Sequence, residues 1–211
     1  MWPSSSVYSV PLHGRFSSLF KYSLSEEEVP ALKAFYKAIK PVLPIGVVER
    51  RLLSLKVALD RYNNALLEPI ETERKLMMAV MGLEALYTLE SDRGEIPFKL
   101  GVRTAKLLSL IGHEPIEASL KINKAYSIRN KIAHGSIISE EKRKEVSSLL
   151  KDIAIYLRES LVIFALLERR IERGKLIELL DYSLINEERT KELRSLVSLV
   201  SDQLPGWENK D

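Results

Sequence analysis

The sequence predicts an all-α helical bundle, and three observations carry that prediction. Apolar residues recur at helical spacing through most of the chain after residue 24. Clusters of proline and glycine separate the periodic segments. A length of 211 residues, 45% hydrophobic and 29% charged, suits one ordinary globular core. Six to eight helices are expected. The chain divides into an N-terminal arm (1–24), a bundle (25–173) and C-terminal helices with a tail (174–211).

The elements follow in order. Residues 1–24 are Ser-rich with Pro3, Pro11 and Gly14, and form either a short β-hairpin or an irregular arm. Ser25 followed by three glutamates starts a helix that runs to about Lys40, since early carboxylates meet the positive dipole end. Pro41 and Pro44 break it. Val48, Leu52, Leu55, Leu59, Tyr62 and Leu66 then alternate steps of four and three, the pattern of an amphipathic second helix. After Pro69, the stripe Leu76, Ala79, Val80, Leu83, Leu86, Tyr87 defines a third, with Glu84 on its flank. Gly94 and Pro97 introduce a fourth, to about Leu110, bearing Lys99, Arg103 and Lys106 on one line. Gly112 to Pro115 turns the chain into the fifth. Ser139 opens the longest helix, to about Ile171, whose segment 161–167 is apolar all round and must be buried on several sides. Two shorter helices and the tail PGWENKD complete the chain.

Composition limits the chemistry. The absence of cysteine excludes disulfides, thiolate metal sites and a cysteine nucleophile. Three histidines, His13, His113 and His134, make a His-rich metal site a poor expectation, and no metal or cofactor is expected. No stretch reaches the roughly 18 apolar residues of a membrane span, so a cytoplasmic protein without membrane association is expected. A single glutamine beside abundant Lys, Arg and Glu is the bias of hyperthermophile proteins. The net charge of +3 is unevenly spread. Residues 96–139 hold seven cations and two anions, giving +5 there and −2 elsewhere. Lys99, Arg103, Lys106, Lys124 and Lys131 are therefore candidate RNA-binding residues.

The stretch Lys121 to Gly135, KINKAYSIRNKIAHG, carries the functional signal. At about 100° per residue, Ala125, Ile128 and Ile132 make the core stripe, His134 falls almost opposite, and Tyr126, Arg129, Asn130 and Ala133 fill the arc between. A histidine kept for packing would share the apolar stripe. Gly135 supplies the left-handed residue that ends a helix, placing His134 in the last turn, where free carbonyls favour a cation. Without thiol or metal, Arg129 and His134 offer charge stabilisation and proton transfer, and RNA brings its own nucleophile in the 2′-hydroxyl. The same residues also suit a module that grips phosphate or seals an interface.

The run Arg129-Asn130-x-x-x-His134-Gly135 with Tyr126 ahead of it resembles the signature of HEPN (higher eukaryotes and prokaryotes nucleotide-binding) domains. The segment GLEALYTLESDRGEIPFKLGVRTAKLL is similar to their Apea-like branch, and the resemblance spans roughly residues 45 to 170. It implies a helical bundle, usually a dimer. It further implies a metal-independent endoribonuclease acting through Arg129 and His134, with Asn130 assisting and Glu84 orienting one of them, in defence or toxin-like RNA turnover. The alternative role within the family is a non-catalytic RNA-binding, nucleotide-binding or protein-interaction dimer. An antitoxin or other regulatory protein is a further implied partner. Toxins paired with nucleotidyltransferase antitoxins carry a Tyr two residues after the His, where this chain has Ser136.

Overall fold

A computed structural model describes residues 25–43, 49–135 and 139–204. The N-terminal arm, the start of the second helix at Val48, Ser136 and the tail from 205 lie outside the described residues. Among those described, eight α-helices and no strand are present: α1 (Glu28–Ile39), α2 (Leu53–Leu67), α3 (Thr72–Tyr87), α4 (Ile96–Ser109), α5 (Pro115–Ala133), α6 (Glu140–Leu167), α7 (Arg173–Ser183) and α8 (Glu187–Ser201). Short 3₁₀ turns at Lys40–Val42 and Arg50–Leu52 flank the connection between α1 and α2. None of the described helices is long and apolar enough to cross a membrane.

Helix α3 is the central element. Leu76, Ala79, Val80, Leu83, Leu86 and Tyr87 are each 0% exposed, so the whole line expected from periodicity is core. It packs on α2, α5 and α6. Gly82 permits the closest approach: a methyl group there would stand 2.6 Å from Leu157 Cδ2 on α6. The apolar segment 161–167 of α6 is buried except for a half-buried Val162. Inside this dry region, the Tyr87 hydroxyl bonds to Ser160 at 2.7 Å, satisfying two buried hydroxyls at once. Burial pushes the Tyr87 phenol far above its ordinary pKa.

Three boundaries or faces differ from expectation. The α1 helix begins at Glu28, because the Glu28 carboxylate reaches back to accept from the Ser25 backbone N–H at 2.8 Å and shapes a turn before the helix. The buried line of α2 is Leu55, Ala58, Ala65, while Leu66 is exposed. The α2 helix approaches α3 closely at Ala58, whose carbonyl would stand 3.4 Å from a methyl group on Gly82. The long helix ends at Leu167 rather than Ile171. Arg170 and Ile171 both donate backbone bonds to the Leu167 carbonyl in a tight turn, which sends α7 back along the bundle.

Candidate functional site

The motif helix α5 is held at both ends by its own sequence. The Glu114 carboxylate accepts from the Glu117 backbone N–H at 2.6 Å, and Pro115 occupies the first turn, where its missing donor costs nothing. At the other end His134 is the C-cap, its N–H bonded to the Asn130 carbonyl at 3.0 Å, and Gly135 adopts φ +77° as the sequence requires.

The face buried by α5 is rotated from the one periodicity suggests. Ala118, Ile122, Ala125 and Tyr126 are buried, while Ile128 and Ile132 are half-buried. The cause is α4, which packs closely on α5 where Gly101 faces Asn123 and Ser119. With α3 on one side and α4 on the other, the enclosed arc widens toward Tyr126. Tyr126 is therefore only 9% exposed, although periodicity places it on the arc between the core stripe and His134. Burial, and then the Glu84 charge, raise its hydroxyl pKa.

Arg129 continues the buried line Ala118, Ile122, Ala125 by one more step of four. A guanidinium on that line must be neutralised. Glu84 on α3 does so, with Arg129 Nη2 to Glu84 Oε2 at 3.1 Å, while Arg129 Nη1 donates to Asn130 Oδ1 at 2.9 Å. The guanidinium also lies 5.5 Å from the centre of the Tyr126 ring. Glu84 is thus no surface carboxylate: its side chain is 18% exposed, and it serves Arg129 rather than His134. Burial lifts its pKa above the ordinary glutamate value, against the opposing pull of Arg129.

His134 is exposed and looks elsewhere. Five residues separate it from Arg129, about 140° around the helix. It lines an open cleft of about 380 Å³ together with Pro97, Asn123, Tyr126, Ser127, Asn130 and Lys131. Arg129 is not among the lining residues. Within one chain, then, His134, Asn130 and Lys131 share a solvent-open cleft, and Arg129 stands behind its wall against a carboxylate. Asn123 and Ser127 are cleft residues that the sequence reading did not single out. Their signal was a second stripe on α5, Ile116, Leu120, Asn123, Ser127, Asn130, His134, at alternating steps of four and three.

The basic stripe of α4 does not reach the cleft, which corrects its assignment as an RNA-binding surface. Arg103 is 2% exposed. Its Nε and Nη2 each bond Asp181 on α7 at 2.7 Å, its Nη1 and Nη2 bond Asp92 at 2.6 and 3.2 Å, and Nη1 also donates to the Tyr87 carbonyl at 2.8 Å. Burial alone would lower its pKa, but the two aspartates outweigh that and raise it, while Arg103 holds Asp92 far below the usual carboxylate range. Lys99 pairs with the same Asp92 at 2.8 Å, and Lys106 donates to Thr190 on α8 at 3.2 Å. Lys106 has its pKa lowered by burial and by Arg194. This stripe is the seam that fastens the C-terminal helices to the bundle. Lys124 is paired with Glu145 on α6. Of the five proposed cations only Lys131 faces the cleft, and among the described residues it makes no ion pair.

A second cavity, about 250 Å³ and apolar, lies between α1, α2 and α6 and includes none of the motif residues. No three His, Asp or Glu side chains among the described residues converge as a metal-binding group. The chain matches no known family model, no curated protein and no solved structure.

Proposed function

We propose that this protein is a metal-independent endoribonuclease of the HEPN type, acting as a homodimer. The observation that carries the reading is the arrangement at the end of α5. An exposed histidine, an asparagine and a lysine without an ion-pair partner among the described residues open onto one cleft, backed by an arginine that Glu84 and Asn130 hold in place.

In this mechanism the 2′-hydroxyl of the substrate attacks the adjacent phosphate. His134 takes the hydroxyl proton, and His134 of the partner subunit gives a proton to the departing 5′-oxygen, leaving a 2′,3′-cyclic phosphate. Proton transfer of this kind contributes roughly 10²–10⁴-fold. Lys131 and Asn130 hold the phosphate from the cleft side. Arg129 supplies positive field from behind the wall, and donors fixed before the reaction stabilise developing charge without reorganising. Two sets of Lys131 and His134 repel one another without an anion between them, so the seam between subunits stays open to phosphate. The exposed Ile116, Leu120 and Phe98 at the other end of the α5 stripe and on α4 offer the apolar contact for a second copy.

One observation favours the alternative, a dimer that grips RNA or a nucleotide without cutting it. The Arg129 charge is already taken up by Glu84, which leaves less of it for a transition state. Incubation with total RNA in EDTA separates the two. Cleavage leaving cyclic phosphate ends, abolished by His134→Ala and by Arg129→Ala, is expected. Folded protein that binds RNA and never cuts it would establish the binding module instead.

A further inference from the structure

The apolar cavity between α1, α2 and α6 stands apart from the motif cleft, and its two ends differ in chemistry. The α2 and α6 helices run antiparallel along it, since Arg51, just ahead of α2, bonds Glu168, just past α6, at 3.1 Å. Leu55 and Ala165 therefore share one end of the cavity, and Tyr62 and Arg158 share the other. Leu55 to Tyr62 and Arg158 to Ala165 each span seven residues, about 10.5 Å of helix. Phe35 and Ile39 of α1 supply the third wall. Apart from Tyr62 and Arg158, every described side chain lining the groove is apolar.

The polar end is open and lightly committed. Among the described residues the Tyr62 hydroxyl makes no hydrogen bond, and it is not sealed from solvent. Burial raises its pKa, while the positive charge of Arg158 nearby pulls the other way. The Arg158 side chain is 57% exposed, and its one ion pair among the described residues is a loose contact with Glu159 at 4.0 Å. The other oxygen of Glu159 is taken by His113 Nε2 at 2.6 Å. An arginine so placed lays its stem along the apolar wall and keeps its head in water. That head has donors to spare, in the planar fork that matches a carboxylate. The volume of about 250 Å³ lies below the range of about 300–1,000 Å³ usual for drug-sized ligands, so a short, slender molecule fits.

We propose that this groove binds a medium-chain monocarboxylate, with its tail along Leu55, Leu59, Leu161 and Ala165 and its carboxylate held by Arg158 and Tyr62. The site is independent of ribonuclease activity, because none of the motif residues lines it.

Isothermal titration of the full chain with octanoate, hexanoate and octanol, below micelle-forming concentrations, tests it. Octanoate is expected to bind saturably at one site per chain, about tenfold more tightly than octanol, which has the same tail without the charge. Hexanoate is expected to bind roughly fifteenfold more weakly than octanoate, at about fourfold per methylene. Arg158→Met keeps the stem and removes the head, so its affinity for octanoate is expected to fall to that for octanol, with octanol binding unchanged. Tyr62→Phe is expected to weaken octanoate about fivefold and to spare octanol, and provides a second variant should Arg158→Met fail to fold. Val162→Trp is expected to fill the groove and remove binding of both. No saturable octanoate binding by folded wild-type protein overturns the proposal, whether the groove is too shallow or another part of the chain covers it. Equal binding of octanoate and octanol, a preference that survives Arg158→Met, or octanoate binding that survives Val162→Trp overturns it as well. Each of these outcomes leaves the ribonuclease proposal standing, since RNA cleavage is measured separately.

Discussion

Arg129 on α5 and Glu84 on α3 form a half-buried ion pair, Nη2 to Oε2 3.1 Å, on the side of the motif helix turned toward α3. With Arg129 anchored inward, the residues 140° away, His134 among them, are turned outward to the cleft. The contact is thus structural for Arg129 and functional for His134.

Replacing Glu84 tests that coupling. Glu84 has its folded-state pKa raised by burial, so its contribution to stability is most favourable below the unfolded pKa and declines as pH rises through the raised folded value. Glu84→Gln cannot ionise. Its stability relative to wild type, followed by thermal unfolding, is expected to improve as pH rises above the unfolded glutamate value of about 4.3. RNA cleavage by the variant is expected to fall by about tenfold, because the glutamine holds the guanidinium less firmly.

Arg103 should behave as a structural residue. Removing Arg103 leaves the buried Asp92 with Lys99 as its one cation and leaves the part-exposed Asp181 to water, a loss of up to about 3 kcal/mol, below that of a fully buried pair. Arg103→Met is expected to lower the denaturant midpoint by a corresponding amount and to expose α7 and α8 to hydrogen exchange. A variant with native stability but weakened RNA binding would reverse the assignment and return this stripe to the nucleic-acid surface.

Lys131 should behave in the opposite way. It faces the cleft without an ion-pair partner among the described residues, so Lys131→Ala is expected to leave stability within about 0.5 kcal/mol. RNA binding should weaken, and the slope of log K against log salt should fall by about 1.

The end of the motif helix is sensitive to backbone strain. Gly135 holds φ +77°, and none of the described residues lies within 4 Å of a methyl group added there. Gly135→Ala therefore meets no clash with the described residues and carries the left-handed penalty, about 1–2 kcal/mol. Loss of cleavage beyond that expected from unfolding would show that the turn also positions His134.

Sedimentation or scattering is expected to give a mass of about twice 24.1 kDa. Leu120→Asp places a charge in the exposed apolar part of the α5 stripe and is expected to yield a folded monomer without ribonuclease activity. A fully active monomer would exclude a site shared between subunits.

Much of this protein can be read directly from its residues. Helical periodicity together with cap, glycine and proline signals located the described helices, and the line Leu76 to Tyr87 proved fully buried, because an apolar stripe at helical spacing marks a face that neighbouring helices cover. The Gly135 turn was legible for the same reason: left-handed backbone is a local property. What only the tertiary structure decided was which side of each flanking helix is covered, and what each charge meets. The Lys99, Arg103, Lys106 line looks like a cationic surface in sequence, and becomes an internal seam only because α7 brings Asp181 back from 78 residues away. Likewise the rotation of α5 toward Tyr126, and the unmatched oxygen of Asn123, follow from the close approach of α4 at Gly101. Spacing records the period of a helix. Its roll against its neighbours is set by contacts between residues distant along the chain, and that roll separates Arg129 in the wall from His134 in the cleft.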